Sequence, residues 1–140
     1  MTSSTEKTGA CLCGAVHVRI AIKNHHVAAC HCVMCRKWGG GPLLAIECDG
    51  AVDFHGTEHI AMFESSDWAE RGFCRICGTH LFYRLKNEAH YALPVGLLDG
   101  DDDWDFQAQI FIDQKPAFYA FANTTTELTG EEVFAQYSDA

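Results

Sequence analysis

Eight cysteines are the residues of this 140-residue chain whose type and spacing could do chemistry. Seven of them fall into three short clusters, and Cys48 stands apart. The clusters are Cys11-Leu12-Cys13, Cys30-His31-Cys32-Val33-Met34-Cys35 and Cys74-Arg75-Ile76-Cys77. Thiols separated by one or two residues can hold a zinc ion from a single turn, and two such turns complete a tetrahedron. The spacing therefore indicates metal binding.

The rest of the sequence is typical of a protein in a reducing compartment. Residues 1–9 lack the apolar run of a signal peptide, and no apolar stretch approaches the roughly 20 residues needed to span a membrane. We therefore expect a cytoplasmic protein with no membrane partner. In such a compartment, clustered cysteines serve metal binding or catalysis more often than disulfide formation.

Length and charge narrow the class of protein further. A chain of 140 residues fits one domain, so we expect a single domain over residues 1–140, with residues 1–8 as a flexible tail. Ten Lys and Arg against nineteen Asp and Glu give a net charge of -9. Because that charge repels phosphate backbones, we expect no nucleic-acid partner.

The elements that must position the cysteines are mostly strands. Short apolar or alternating runs separated by turns predict strands over 16–22, 42–48, 51–54, 60–63, 80–85, 90–97, 106–112 and 117–121. The segment Thr129-Gly130-Glu131-Glu132 resembles a capping box and predicts one short helix at about residues 130–138. The expected fold is mainly β, with folded antiparallel sheets stabilised by zinc and a short C-terminal helix.

Two glycines favour one pairing of the clusters. Gly14 and Gly78 directly follow a cysteine in the first and third clusters, where glycine permits the tight turn that points amides at sulfur. This favours a closed structural zinc site with the ligands Cys11, Cys13, Cys74 and Cys77. A zinc ribbon made of Cys32, Cys35, Cys74 and Cys77 also has legitimate spacing and stays open as an alternative.

The middle cluster offers three cysteines, Cys30, Cys32 and Cys35, and no obvious fourth ligand. Three protein ligands with one open position are the arrangement of catalytic zinc. His31 is a candidate fourth ligand, although it lies between two ligating cysteines; a place beside the metal or at the surface is the alternative. We predict two zinc ions per chain, one structural and one catalytic. A zinc with an open position can polarise an aldehyde oxygen or activate a thiol, and either role makes or breaks a C–S bond.

The order of these motifs resembles the glutathione-dependent formaldehyde-activating enzyme (GFA) family. The resemblance rests on Cys-x-Cys-Gly, Cys-His-Cys-x-x-Cys-Arg-Lys-Trp-x-Gly and Arg-Gly-Phe-Cys-x-x-Cys-Gly-Thr, between Cys11 and His80. It implies a zinc fold shared with methionine sulfoxide reductase B, with the same four structural and three catalytic cysteines. It also implies a carbon-sulfur lyase that condenses formaldehyde with glutathione to S-(hydroxymethyl)glutathione.

An anionic thiol such as glutathione needs local positive charge in an acidic protein. Arg36, Lys37, Arg71 and Arg75 lie beside the clusters, and Trp38 with Gly39–Gly41 is a candidate pocket wall. The predicted substrate contacts are Arg36, Lys37, Trp38, Gly39 and Arg71. The simpler interpretations are solvent-facing charges and a turn beside a buried aromatic ring.

Two other functions fit the same scaffold. Methionine sulfoxide reductase activity needs a separate reactive cysteine, for which Cys48 is the candidate; because neighbouring Asp49 raises its thiol pKa, we expect a buried structural thiol instead. A non-catalytic zinc-binding interaction module is the other alternative. The acidic segment Asp99–Asp105 with Trp104 would serve its contact, although a solvated loop is the simpler interpretation.

Overall fold

The computed structural model describes residues 5–49, 52–86, 90–100 and 103–138. The strands in these ranges are β1 Thr5–Ala10, β2 His17–Ile22, β3 His26–Cys30, β4 Leu43–Asp49, β5 Val52–His55, β6 Ile60–Phe63, β7 Ala69–Cys74, β8 His80–Leu85, β9 His90–Pro94, β10 Asp105–Ile110 and β11 Thr126–Leu128. The helices are α1 Val33–Gly39 and α2 Gly130–Ser138, and the 3-10 turns are Thr57–His59, Val95–Leu97 and Ile112–Gln114. No helix in the described ranges has both the length and the apolar character to cross a membrane.

The chain forms two compact units, each assembled from two separate segments of the sequence. The first unit contains Met1–His25 and Ile46–Asp103, and the second contains His26–Ala45 and Trp104–Ala140. A single domain over residues 1–140 stays a prediction.

The first unit contains an antiparallel sheet in the order β1-β2-β5 and a run of neighbouring strands in the order β9-β8-β7-β6. In β2 the side chains of Val18, Ile20 and Ile22 are buried while His17 and Arg19 are exposed. This alternation is the reason that the segment forms a strand, since burying each aliphatic side chain contributes about 1.5–3 kcal/mol.

Aromatic rings from β5, β8 and β9 pack together in this unit. The ring of Phe82 lies 5.2 Å from that of Phe54 and 5.3 Å from that of Tyr91, measured between centroids. Gly72 on β7 lies against the Phe82 ring so closely that a Cβ atom there would overlap it. Glycine at this position therefore allows the ring to approach the strand this closely.

The second unit contains strands in the order β11-β10-β3, followed by the first residues of β4. β3 pairs antiparallel with β4, for example Cys30 with Leu43. β10 pairs in parallel with both β3 and β11. The expected antiparallel pairing therefore needs correction at β10, whose partners are distant segments reached by long connections rather than hairpins.

The mainly β fold and the C-terminal helix are confirmed. β6 and β8 have the predicted bounds, and the strands predicted over 16–22, 42–48, 51–54 and 106–112 differ from β2, β4, β5 and β10 only near their ends. Ala51, part of the third prediction, lies outside the described residues. The capping box forms, because Glu132 N donates to Thr129 Oγ1 at 3.2 Å and Thr129 N donates to Glu132 Oε1 at 2.8 Å.

Other predictions of elements need correction. Residues 5–8 of the expected flexible tail are paired with β2 as part of β1, whereas residues 1–4 lie outside the described ranges. The strand predicted over 117–121 is irregular chain, in which the aromatic rings of Tyr119 and Phe121 pack near His31. The strand predicted over 90–97 ends at Pro94 and continues as a 3-10 turn, since proline lacks the amide that a strand ladder needs. Helix α1 was not predicted.

Candidate metal centres

Four cysteines of the first unit gather at the ends of its strands. Cys11 and Cys13 follow β1, Cys74 ends β7, and Cys77 lies in the turn before β8. Their Sγ atoms all lie within 4.8 Å of one another. The spacing of the sequence thus brings together the four residues of the predicted structural site.

Two similar turns build this centre. Gly14 and Gly78 each have φ of 80°, in the left-handed region where glycine is favoured. The Gly14 amide donates to the Cys11 carbonyl at 3.0 Å, and the Gly78 amide donates to the Cys74 carbonyl at 2.8 Å. The amide of Val16 donates to Cys11 Sγ at 3.3 Å. Backbone donors therefore face the sulfur, as the glycine positions indicated.

The distances between these sulfur atoms suit tetrahedral zinc. Cys11 Sγ lies 3.6 Å from Cys13 Sγ, which lies 3.7 Å from Cys74 Sγ. Zn–S bonds of about 2.3 Å in a tetrahedron separate the sulfurs by about 3.8 Å. The donor set and its size fit a closed zinc site.

The electrostatics of the four thiols also call for a cation. The Thr79 hydroxyl, 3.2 Å from Cys77 Sγ, lowers the pKa of Cys77 to about 5. The Ala15 amide lowers the pKa of Cys13, but burial and the neighbouring thiols outweigh it and raise that pKa to about 12. Four adjacent thiolates repel one another, so a bound cation is what allows all four to lose their protons.

Cys30, Cys32 and Cys35 form the second cluster, in the second unit. Cys30 ends β3, Cys32 is the N-cap of α1, and Cys35 lies in the first turn of that helix. Their Sγ atoms lie within 4.8 Å of one another, and the Cys35 amide donates to Cys32 Sγ at 3.3 Å. Hydrogen bonding with the other two thiols, together with burial, raises the pKa of Cys30. This trio likewise needs a cation to become three thiolates.

His31 lies in the middle of the second cluster but does not join it. Its side chain is fully buried, with Nδ1 2.8 Å from the Tyr119 hydroxyl oxygen and Nε2 2.8 Å from Gln109 Oε1. Because both ring nitrogens are engaged by other side chains, the alternative of His31 as a fourth metal ligand is wrong.

A cavity of about 230 Å³ lies against α1. Its lining consists of Val33, Arg36, Lys37, Gly40, Gly41, Phe118 and Tyr119. Two of the predicted substrate contacts, Arg36 and Lys37, therefore share this cavity, and Arg36 Nε also donates to the His31 carbonyl at 2.9 Å. Trp38 and Gly39 lie on the same helix but do not line the cavity.

The family model described as glutathione-dependent formaldehyde-activating enzyme matches residues 6–114, a span that contains both cysteine clusters. The chain belongs to the GFA family. A relative from Schizosaccharomyces pombe, named an uncharacterised lyase, is 37% identical over 129 residues, which cover 91% of this chain and 94% of the relative. Family and relative together indicate a lyase-like role.

More distant similarities agree with this membership. A Halomonas elongata protein, provisionally named a glutathione-dependent formaldehyde-activating enzyme, is 34% identical over 83 residues, or 53% of each chain. A crystal structure of a Rhodobacter sphaeroides protein superimposes with a TM-score of 0.59 at 25% identity, over 68% of this chain and 90% of that one.

The clusters found in this GFA-family chain decide between the two pairings of the cysteines. Cys32 and Cys35 gather with Cys30, whereas Cys74 and Cys77 gather with the two cysteines after β1. The zinc-ribbon alternative, which combines Cys32 and Cys35 with Cys74 and Cys77, corresponds to neither group.

Arg71 and Cys48 lie in the first unit. Arg71 on β7 is 4% exposed, and its guanidinium carbon lies 5.1 Å from the centre of the Tyr83 ring. Its contact with substrate stays a prediction. Cys48 is 3% exposed, and burial together with the charges of Asp49 and Glu47 raises its pKa to about 11. The expected buried thiol is confirmed, and its high pKa disfavours methionine sulfoxide reductase chemistry.

Sequence reasoning missed the residues that surround His31. Gln109 on β10 and Tyr119 in the following irregular chain lie 78 and 88 positions away from it. Neither belongs to a motif or a periodic pattern that points to His31. Their role depends on the pairing of β10 with β3, which a single sequence does not reveal.

Proposed function

We propose that this protein is a zinc-dependent carbon-sulfur lyase that forms or breaks the C–S bond between a small anionic thiol, glutathione-like, and a small aldehyde, formaldehyde-like. The observation that carries the proposal is the trio Cys30, Cys32 and Cys35, for which the described residues offer no fourth ligand. Zinc held by this trio would supply Lewis acidity and thiol activation at one open position.

The cavity beside α1 supplies a place for the rest of the thiol. Arg36 and Lys37 line it in a chain whose net charge is -9, so they concentrate positive charge where a carboxylate can bind. Phe118 and Val33 add apolar surface to the same lining. This combination suits a ligand that has carboxylates as well as an aliphatic or peptide backbone.

The placement of the cavity favours a long thiol over a compact one. Val33, Arg36, Lys37 and Gly40 follow the spacing of one helix face, and Cys35 is two residues from Val33, on the opposite side of α1. A molecule that binds the cations and presents its sulfur to the cysteines must therefore extend around the helix. This arrangement favours a tripeptide thiol, which is longer than a single amino acid.

Exchange spectroscopy on a mixture of formaldehyde and glutathione tests this function. We expect zinc-loaded protein with two zinc ions per chain to accelerate interconversion with the hydroxymethyl adduct. Cys35→Ser removes a ligand of the trio, so it should hold one zinc and leave the exchange rate at its uncatalysed value.

Cys48→Ala is the matched control, because it removes a buried thiol outside both clusters and should keep both metals and the activity. Wild-type protein that holds two zinc ions without accelerating exchange would contradict the lyase proposal and favour the non-catalytic interaction module. The acidic segment suggested for that module includes Asp101 and Asp102, which lie outside the described residues.

A further inference from the structure

Two histidines lie side by side on the three-stranded sheet of the first unit, outside both cysteine groups. His17 on β2 is the register partner of His55 on β5, and the next outward pair is Arg19 with Asp53. Directly opposite residues of an antiparallel pair have Cβ atoms about 4.5–5.5 Å apart. The strand register therefore brings together two imidazoles that are distant in the sequence.

Both histidines face solvent. The side chains of β2 alternate between exposed and buried, and His17 belongs to the exposed set. On β5 the ring of Phe54 packs against that of Phe82, so the residues on either side of Phe54 project from the opposite face of the strand. The side chains of these two residues, Asp53 and His55, are 64% and 67% exposed. A metal ion can therefore reach the pair from solvent.

A carboxylate lies next to the pair. Asp53 Oδ2 is 3.2 Å from His55 Nε2. The neighbouring cation, Arg19, has its Nε 3.8 Å from Glu6 Oε1, so a second carboxylate offsets the positive charge that Arg19 brings to this face. A carboxylate beside a ligating imidazole orients the ring and raises its basicity, which strengthens metal binding.

Close backbone packing fixes the spacing of the two strands at this point. Gly56, directly after His55, has φ of 84°, and a Cβ atom there would overlap the carbonyl of Ala15, just before β2. β2 is also paired on its other edge, where Ala10 of β1 lies opposite His17. Because alanine is small, it leaves room for the His17 ring to turn. The backbone is thus held while the imidazoles stay adjustable.

We propose that His17 and His55, supported by Asp53, form a surface site for a divalent transition-metal ion. Imidazole suits zinc, copper and nickel, and adjacent strands can supply two of them to one ion. In the structure the ligand atoms are not gathered as closely as the sulfurs of the two cysteine groups, so the exposed rings turn toward the ion when it binds. Water completes the coordination, which makes this ion more exchangeable than zinc in a closed four-cysteine site. The site uses neither thiolates nor substrate, so the inference goes beyond the proposed function and does not rest on it.

Calorimetric titration of zinc into protein whose cysteine groups are already loaded tests the site. We expect one further equivalent to bind weakly and to be removed by a mild chelator that leaves the thiolate-bound zinc in place. His17→Gln and His55→Gln should each lose this weak phase, because a single imidazole does not chelate. His59→Gln is the matched control and should keep it: His59 Nε2 also lies near a carboxylate, 3.4 Å from Glu58 Oε1, but His59 does not belong to the cross-strand pair.

Two further measurements test the geometry. Asp53→Asn should weaken the additional zinc by about tenfold or more, as expected when a partner of a ligating histidine is lost. Excess zinc should raise the unfolding temperature of wild type but not of His17→Gln, because an ion that joins β2 to β5 binds only the folded sheet. An unchanged affinity of Asp53→Asn would overturn the part assigned to Asp53.

Three outcomes would overturn the site as a whole. They are the absence of further zinc binding to wild type, retention of the weak phase by both single histidine variants, and partial losses that add up in the His17→Gln/His55→Gln double variant. The last result would show an adventitious ion only, held by one imidazole at a time. The lyase proposal is tested separately, because its exchange assay measures the trio in the second unit and needs neither histidine.

Discussion

His90 lies between two carboxylates of β4 in the first unit. Its Nε2 is 3.7 Å from Glu47 Oε1, and its Nδ1 is 2.7 Å from Asp49 Oδ1. The nearby Glu47 carboxylate is the main cause that raises the pKa of His90 to about 9, and Asp49 adds to it while burial opposes both. The imidazole is therefore a cation at neutral pH that joins β9 to β4.

This ion pair should make stability depend on pH. The folded-state pKa of His90 lies above the ordinary value of about 6.5, so its stabilisation is complete below that value and is lost as the pH rises through about 9. Since Glu47 and Asp49 have side chains 61% and 74% exposed, we expect a contribution on the order of 1 kcal/mol.

Urea unfolding of wild type and His90→Gln measures this contribution. The variant should be less stable than wild type at about pH 6 and equal to it near pH 10. Comparing the two proteins at each pH cancels the effect of pH on the thiolates that hold metal. A difference that does not vary with pH would show that His90 stabilises by packing alone.

The sequence identifies single residues best where their chemistry is local. Spacing identifies the three short cysteine clusters, and the glycines after Cys13 and Cys77 favour the pairing of the first with the third. The environment of His31 is different, since its two partners come from β10 and from irregular chain beyond it. Only the tertiary fold brings a glutamine and a tyrosine to an imidazole at such separations.

Helix α1 begins at a thiol with two functions. Cys32 caps the helix by accepting from the Cys35 amide, and it is also one of the three clustered sulfurs. Serine is a strong N-cap residue but a poor zinc ligand, whereas alanine is neither. Substitution at this position can therefore separate the structural role from metal binding.

We expect Cys32→Ser and Cys32→Ala to lose the zinc of the second cluster alike. Cys32→Ala should in addition lose about 1 kcal/mol of stability relative to Cys32→Ser, because its cap is missing. Metal content and thermal unfolding of the apo forms give the two measurements. Equal stability of the apo variants would mean that the Cys32 cap contributes nothing to α1.

The secondary-structure elements were predictable where a local apolar run or a capping signal marks them. β6 and β8 have the predicted bounds, and α2 is marked by its capping box. Helix α1 has seven residues, fewer than two full turns, and a cysteine cap, so it offers neither a repeated helical pattern nor a familiar start signal. The segment 117–121 alternates like a strand, yet it is irregular chain whose aromatic side chains pack on one another, near His31 and, for Phe121, against Phe106 of β10.

At the scale of the whole molecule, the two cysteine clusters should differ in what their loss does. The four-cysteine group ties the end of β1 to the turn between β7 and β8, 61 positions apart at Cys13 and Cys74. Structural zinc contributes on the order of 10 kcal/mol to folding, which is comparable with the net stability of a domain. The trio joins only β3 to the adjacent α1.

Cys74→Ser should therefore abolish cooperative thermal unfolding, and Cys35→Ser should retain it while it loses one zinc. Circular dichroism and metal analysis on the two purified variants make the comparison. A folded Cys74→Ser protein with a normal transition would contradict the structural role of the four-cysteine group. Global unfolding of Cys35→Ser would show that the trio also supports the fold.

Because the second unit is built from two separate segments, the ribosome synthesises its two parts at different times. The cysteines of the trio are made early, but Tyr119 follows His31 by 88 residues. Translation at about 5–20 residues per second separates their appearance by on the order of 10 s. During that interval the nascent chain carries three closely spaced thiols without the strand and the aromatic residues that later enclose His31. These thiols are therefore exposed to cellular metals and oxidants before the second unit can fold. Timely metal binding is then part of correct folding.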